Sequence, residues 1–166
     1  MGRGDKIRIF VVEDHRSVAK ALKGYLEVSG FSVDLAYDMK SALERAVKSD
    51  FDVLLCDLHL PDGTGWELLG KLKQRKPEVC ALAYSVTVHV GDVERSRAAG
   101  FLDQLSKTIA PAELVAALRC AAQARAKARD KAGGNARRRG RSSRLQKIRL
   151  FLLLGSAVSG AGSRPL

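Results

Sequence analysis

At 166 residues, 46% of them hydrophobic, the chain has room for one domain with an ordinary core and some tail, which excludes disorder throughout. Its net charge of +11 is unevenly placed: residues 1–120 carry 17 basic and 17 acidic side chains, whereas residues 121–166 carry 12 basic ones against Asp130 alone. The globular part has no basic character, so any nucleic-acid function rests on the tail.

Ile7–Val12 is a β-rich run that ends at Glu13-Asp14. From Ser17 the spacing is helical, with Val18, Leu22, Tyr25 (or Leu26) and Val28 on one face, until Ser29-Gly30 stops it. Phe31–Ala36 alternates like a strand, and Asp38 is placed to cap a helix whose apolar stripe is Ala42, Leu43, Ala46 and Val47. Phe51–Cys56 is apolar, too short for a buried helix and bounded by turn residues, which predicts a strand covered on both faces.

That strand opens the run Asp57-Leu58-His59-Leu60-Pro61-Asp62-Gly63-Thr64-Gly65, read as a loop, with a helix predicted over 66–76. Pro77 breaks the helix, and Val79–Tyr84 reads as a fourth strand ending at Ser85. A helix over 92–99 is stopped by Gly100, and Phe101–Leu105 is a short strand leading to Lys107. Pro111 suits a first helical position, and Leu114, Ala117, Leu118, Ala121 and Ala122 form the buried face of a last helix that frays near Asp130. Five alternations of strand and helix predict an α/β fold, a doubly wound five-stranded parallel sheet over 1–125, followed by a basic, disordered tail over 126–166.

In such a sheet the carboxyl ends of the strands share one edge, where open α/β folds place ligands. Glu13, Asp14, Asp57, Ser85 and Lys107 therefore converge. Three carboxylates repel one another unless a cation sits among them, and oxygen-only ligands favour Mg²⁺. An ammonium and a hydroxyl opposite suit an oxygen-rich anion, with phosphoryl the obvious candidate. Asp57 would attack a phosphoryl donor while Mg²⁺ and Lys107 neutralise charge. Taken singly, Asp14 reads as a helix cap, Asp62-Gly63 as turn chemistry, Ser85 as a turn residue and Lys107 as a solvated lysine. His15 and His59 read as loop residues. Together these groups fill four strand ends with complementary chemistry, and the single readings lose.

At this point the chain resembles the receiver domain of two-component response regulators, over about residues 6–125. The likeness lies in the acidic pair after the first strand, the Asp-x-x-Leu-Pro-Asp-Gly-x-Gly run, the hydroxyl after strand four, and the lysine 22 positions beyond Ser85. The stretch from Gly91 to Phe101 is similar to receivers attached to hybrid sensor histidine kinases. The resemblance implies a flavodoxin-like sheet of strand order 2-1-3-4-5 and a module that is not an enzyme, apart from catalysing its own phosphoryl transfer and dephosphorylation. It implies Asp57 as phosphoacceptor, Mg²⁺ held by Glu13, Asp14, Asp57 and the Leu58 carbonyl, and contacts from Ser85 and Lys107 to the phosphoryl group. The implied partners are a histidine kinase or histidine phosphotransfer protein and a downstream protein.

Three positions depart from that pattern. Gln104 stands where receivers carry the aromatic switch residue, so an aromatic swing is unavailable. Thr108 stands where proline follows the lysine in a cis peptide; a non-proline cis bond costs about 2.5–4 kcal/mol, which predicts either a trans peptide with a shifted Lys107 or a strained cis bond. Val86 is bulky where the residue after the hydroxyl is commonly small, and is expected to narrow access to Asp57. A specialised receiver, or a degenerate one acting without phosphorylation, follows.

In the tail, Arg137, Arg138, Arg139 and Arg141 could bind nucleic-acid phosphates or an anionic surface, but no aromatic interleaves them. A DNA-binding transcriptional regulator using this tail is the main alternative. A phosphoaspartate hydrolase of the dehalogenase type would need a second Asp at position 59, which is His59. Cys56, Cys80 and Cys120 lack metal-ligand spacing and read as buried free thiols of a reducing cytoplasm. No signal-peptide core precedes the first strand, and Ile148–Leu154 is too short for a bilayer, which takes about 20 residues, so no transmembrane segment is expected.

Overall fold

The computed structural model describes residues 6–86 and 89–131. The chain divides into two compact units, residues 1–126 and 127–166. Of the second, only residues 127–131 are described, and they are helical. The tail arginines Arg137, Arg138, Arg139 and Arg141 lie outside the described residues.

The first unit alternates β1 (Arg8–Val12), α1 (Arg16–Val28), β2 (Ser32–Ala36), α2 (Met39–Lys48), β3 (Val53–Cys56), a short hairpin β4 (His59–Leu60) and β5 (Gly63–Thr64), α3 (Gly65–Arg75), β6 (Ala81–Ser85), α4 (Val90–Ala99) and β7 (Asp103–Ser106). A further helix, α5, begins at residue 111. The main sheet is five-stranded, all parallel, in the order β2-β1-β3-β6-β7. Counting only its own strands, that is the predicted order 2-1-3-4-5. The hairpin, read from sequence as plain loop, is antiparallel, with Pro61 and Asp62 at its turn.

Alternate residues of each strand divide the core into two layers, as a sheet buried on both faces requires. Ile9, Val11, Val33, Val53, Leu55 and Leu82 pack with α1 and α5; Phe10, Val12, Leu54, Cys56, Ala81 and Ala83 pack with α2 and α3. In α5, Leu114, Leu118, Ala121 and Ala122 are buried as the spacing predicts.

The face assigned to α1 needs correction. Leu22 and Leu26, the alternative to Tyr25, are buried together with Ala19, whereas Val18 and Tyr25 are 37% and 40% exposed and Val28 is 90% exposed. Two apolar stripes overlap on this helix, and the narrower one packs; Ser29 N–H and Gly30 N–H close its end on Tyr25 O and Glu27 O. Cys56 and Cys80 are buried free thiols, but Cys120 is exposed on α5.

Candidate functional site

The register aligns the strand ends. Val12 lies opposite Cys56 and Ala36, so the residues that follow, Glu13 and Asp57, leave the sheet side by side. Their backbone amides continue the ladder: Glu13 N–H donates to Ala36 O at 3.1 Å, and Asp57 N–H to Val12 O at 2.9 Å. Ser85 pairs with Ser106, and the Lys107 amide donates to Ser85 O at 2.8 Å. Local geometry thus delivers an acid, an acid, a hydroxyl and an ammonium to one edge.

Lys107 Nζ stands 2.6 Å from Asp57 Oδ2 and 2.6 Å from Glu13 Oε2. Asp57 is 6% exposed and Glu13 1% exposed, so both acids are buried beneath a partly exposed Lys107. Burial alone would lower the Lys107 pKa, but the contacts with Asp57 and Glu13 outweigh it and the pKa is raised. The other Asp57 oxygen, Oδ1, accepts the His59 N–H at 3.0 Å. Ser85 is buried at the end of β6. Asp14 is half-exposed, and His15 Nδ1 lies 2.8 Å from Asp14 Oδ1 and 3.3 Å from Glu13 Oε1. The hydrogen bond to Asp14 is the main reason the His15 pKa is raised.

Reading His15 as a plain loop residue therefore missed a contact. The residue at the α1 N-cap is His15, and no side chain caps there. Its ring instead joins the acidic pair, and Glu13, Asp14 and His15 have ligand atoms within 4.8 Å of one another. Whether the site suits a cation is decided by charge. Two carboxylates, Glu13 and Asp57, share a single ammonium, Asp14 stands beside Glu13, and Glu13 Oε2 is buried with no hydrogen bond, only the ion contact with Lys107. That surplus of negative oxygen ligands fits a hard divalent ion. The Leu58 carbonyl fits less well: Leu58 is fully buried, and its carbonyl accepts the Gly65 N–H at 3.0 Å.

The other expected positions are placed as follows. The Lys107–Thr108 peptide is trans, and Lys107 still reaches Asp57, so the lysine is not shifted away from the acid. Ser106 Oγ and Thr108 Oγ1 lie 2.7 Å apart and close that turn. Val86 is 68% exposed. Gln104 is buried and accepts a hydrogen bond from Ser96 Oγ at 2.8 Å. Asp62 is more than turn chemistry, because its two oxygens accept Met39 N–H at 2.7 Å and Lys40 N–H at 2.9 Å, capping α2 from 23 and 22 residues away.

Gly65 explains how the loop closes under Asp57. A Cβ there would lie 2.5 Å from Asp57 O and 3.1 Å from Leu58 Cα, so any side chain would collide with backbone. Thr64 and Glu67 form a capping box at the start of α3 and fix its entry.

A doubly wound parallel sheet with an acid–lysine site at its carboxyl edge defines the class. Residues 9–119 match the family model described as the response regulator receiver domain. The chain is 30% identical over 113 residues to the transcriptional regulatory protein DltR of Streptococcus agalactiae, covering 68% of this chain and 50% of that protein. It is 33% identical over 113 residues to the response regulator MprA of Mycobacterium bovis, covering 68% and 49%. In fold it is similar to a CheY-like receiver domain protein from Methanospirillum hungatei, with TM-score 0.70, 24% identity, and coverage of 74% of this chain and 98% of that one. The chain belongs to the response regulator receiver domain family. It spans about half the length of the curated relatives it matches. The names of these relatives describe a transcriptional regulatory protein and a response regulator, and the closeness to hybrid-kinase receivers expected from Gly91–Phe101 is not shown by them.

Proposed function

We propose that residues 1–125 act as a phosphoacceptor module in a phosphorelay, taking a phosphoryl group on Asp57 from a phosphohistidine of a histidine kinase or phosphotransfer protein. The observation that carries this reading is the partly buried Lys107 ammonium at 2.6 Å from both Asp57 and Glu13. An Asp57 carboxylate oxygen attacks phosphorus, the phosphorus–nitrogen bond of the donor breaks, and the donor imidazole leaves with a proton. Lys107 moves from pairing two carboxylates to pairing the new phosphoryl oxygens, and buried Ser85 offers its hydroxyl to a third. Glu13, Asp14 and Asp57 hold Mg²⁺, which when bound neutralises charge on the phosphoryl oxygens. Hydrolysis of the resulting acyl phosphate by the module itself belongs to the same proposal.

The signal passes by phosphorylation-dependent docking on a downstream protein. The free thiols Cys56, Cys80 and Cys120 fit a reducing cytoplasm, and among the described residues no helix is long and apolar enough to cross a membrane. The decisive experiment is phosphoryl uptake from acetyl phosphate, with and without Mg²⁺, by the wild type and Asp57→Asn. Mg²⁺-dependent, hydroxylamine-labile label that the variant lacks is the expected result. Its absence on a folded wild type would leave a degenerate receiver.

A second reading is favoured by relatives whose names describe transcriptional regulation. On that reading the basic segment containing Arg137, Arg138, Arg139 and Arg141 contacts DNA phosphates, and binding falls steeply with salt. A DNA mobility shift that needs residues 126–166 tests it, and no shift at low salt removes it.

A further inference from the structure

Tyr84 is a buried phenol at the carboxyl end of β6 that the site described above leaves unused. Leu55 on β3 pairs with Leu82 on β6, and both belong to the core layer of α1 and α5. Two residues further along each chain segment, the same alternation puts Asp57 and Tyr84 on that face. Tyr84 in turn pairs with Leu105, two residues before Lys107. The acceptor acid, the phenol and the ammonium therefore extend neighbouring rows of one layer.

Tyr84 meets Lys107 in two ways. Its hydroxyl donates to Lys107 O at 3.5 Å, and Lys107 Nζ lies 5.9 Å from the centroid of its ring, within reach of a cation–π contact. Adjacent residues of β6 thus hold both backbone groups of the lysine. The Lys107 N–H donates to Ser85 O at 2.8 Å, and the Lys107 carbonyl accepts the Tyr84 hydroxyl. Among the described residues the phenol has no other hydrogen-bond partner, and a buried phenol that loses its acceptor is left unpaired. Burial raises the Tyr84 pKa above its ordinary value of 10, so at neutral pH the hydroxyl is protonated and donates.

Thr108 brings no ring to fix the backbone after Lys107, so hydrogen bonds must hold the turn. The Ser106 and Thr108 hydroxyls, 2.7 Å apart, close it on one side. Tyr84 holds the peptide between them. We propose that Tyr84 is a positioning residue of the phosphoacceptor site, its hydroxyl fixing the Lys107 carbonyl and its ring supporting the ammonium that meets Asp57 and Glu13. The inference rests on the phosphoacceptor reading above and adds the residue that sets where the ammonium stands.

Two variants of the full-length chain test it. Tyr84→Phe removes the hydroxyl and keeps the ring; Tyr84→Leu removes both. Phosphoryl uptake from acetyl phosphate with Mg²⁺ is followed beside the carbon-13 resonance of the Lys107 carbonyl and the proton resonances of its ε-methylene group. Tyr84→Phe is expected to move the carbonyl resonance upfield, to keep the ring-current displacement of the ε-methylene protons, and to slow uptake several-fold. Tyr84→Leu is expected to lose that displacement as well and to be slower still. Tyr84→Phe preserves the buried volume, so the decision does not depend on Tyr84→Leu folding. A role in core packing alone lowers the stability of Tyr84→Leu and leaves the carbonyl resonance and the uptake of Tyr84→Phe at their wild-type values. That result overturns the proposal and leaves the phosphoacceptor standing. A moved carbonyl with unchanged uptake, or slower uptake with an unmoved carbonyl, also overturns it. No label on a folded wild type overturns both readings.

Discussion

Lys107 Nζ meets Asp57 Oδ2 at 2.6 Å from a trans peptide, with Thr108 in the following position. The contact needs neither proline nor a cis bond, because the Ser106 and Thr108 hydroxyls close the turn and the Lys107 amide is fixed on Ser85 O. The site is thus an acidic edge with one partly buried cation held between Asp57 and Glu13.

Lys107→Met removes the cation that touches both Glu13 Oε2 and Asp57 Oδ2, leaving His59 N–H on Asp57 Oδ1 and His15 on Glu13 Oε1 as the contacts of these two buried acids. Breaking a buried pair in this way costs about 3–5 kcal/mol, read as a lower urea midpoint at neutral pH. The pH dependence has a definite sign. The folded-state pKa of Lys107 is raised above 10.5, so its contribution is complete below 10.5 and is lost as pH rises through the raised value. The wild type and Lys107→Met should thus converge in strongly alkaline solution. A stability difference that persists there contradicts the assignment.

Mg²⁺ should stabilise the folded wild type, because it binds ligands that only the fold assembles. At a hundred times its Kd such a ligand contributes about 2.7 kcal/mol. Asp57→Asn and Asp14→Asn should each lose most of that gain in a thermal melt. An unchanged wild-type melting temperature at high Mg²⁺ would speak against a metal site at these acids.

Gly65→Ala places a Cβ 2.5 Å from Asp57 O and 3.2 Å from Cys56 Sγ. Neither the backbone nor the end of β3 can give way cheaply, so the variant should lose about 1–3 kcal/mol by overpacking. Phosphoryl uptake should fall with it, because the displaced atoms carry Asp57. A variant with wild-type stability in denaturant would show that the loop under Asp57 relaxes freely.

The main sheet and the gathering of Glu13, Asp57 and Lys107 were legible in the sequence, because both follow from short-range patterns. A run such as Phe51–Cys56 can only be a strand buried on both faces, and the residue after it must leave at the carboxyl edge. What stayed hidden depends on partners far along the chain. Nothing local separates the stripe of Ala19, Leu22 and Leu26 from that of Val18, Leu22 and Tyr25; the packing of β1, β2 and α5 decides it. Ser96 looks like a surface serine until Trp66 and Gln104 arrive from 30 residues before it and 8 residues after it.

Asp62 is the same kind of case and gives the last prediction. Its two oxygens cap Met39 N–H and Lys40 N–H, while Asp38 takes Ser41 N–H at 2.7 Å, so two aspartates satisfy the first turn of α2. Burial works against the Asp62 charge, but the backbone N–H donors outweigh it and the pKa is lowered from 3.8. Its contribution is therefore present above 3.8 and is lost as pH falls through the lowered value. Asp62→Ala should cost about 1 kcal/mol at neutral pH, and the variant and wild type should converge in acid. Asp62→Asn, which keeps one acceptor oxygen, should fall between them. Hydrogen exchange localises the effect: the Met39 and Lys40 amides should lose protection in Asp62→Ala, while the Ser41 amide, held by Asp38, should keep more of its own. Equal protection of all three amides in the variant would mean that Asp62 does not tie the acceptor loop to α2.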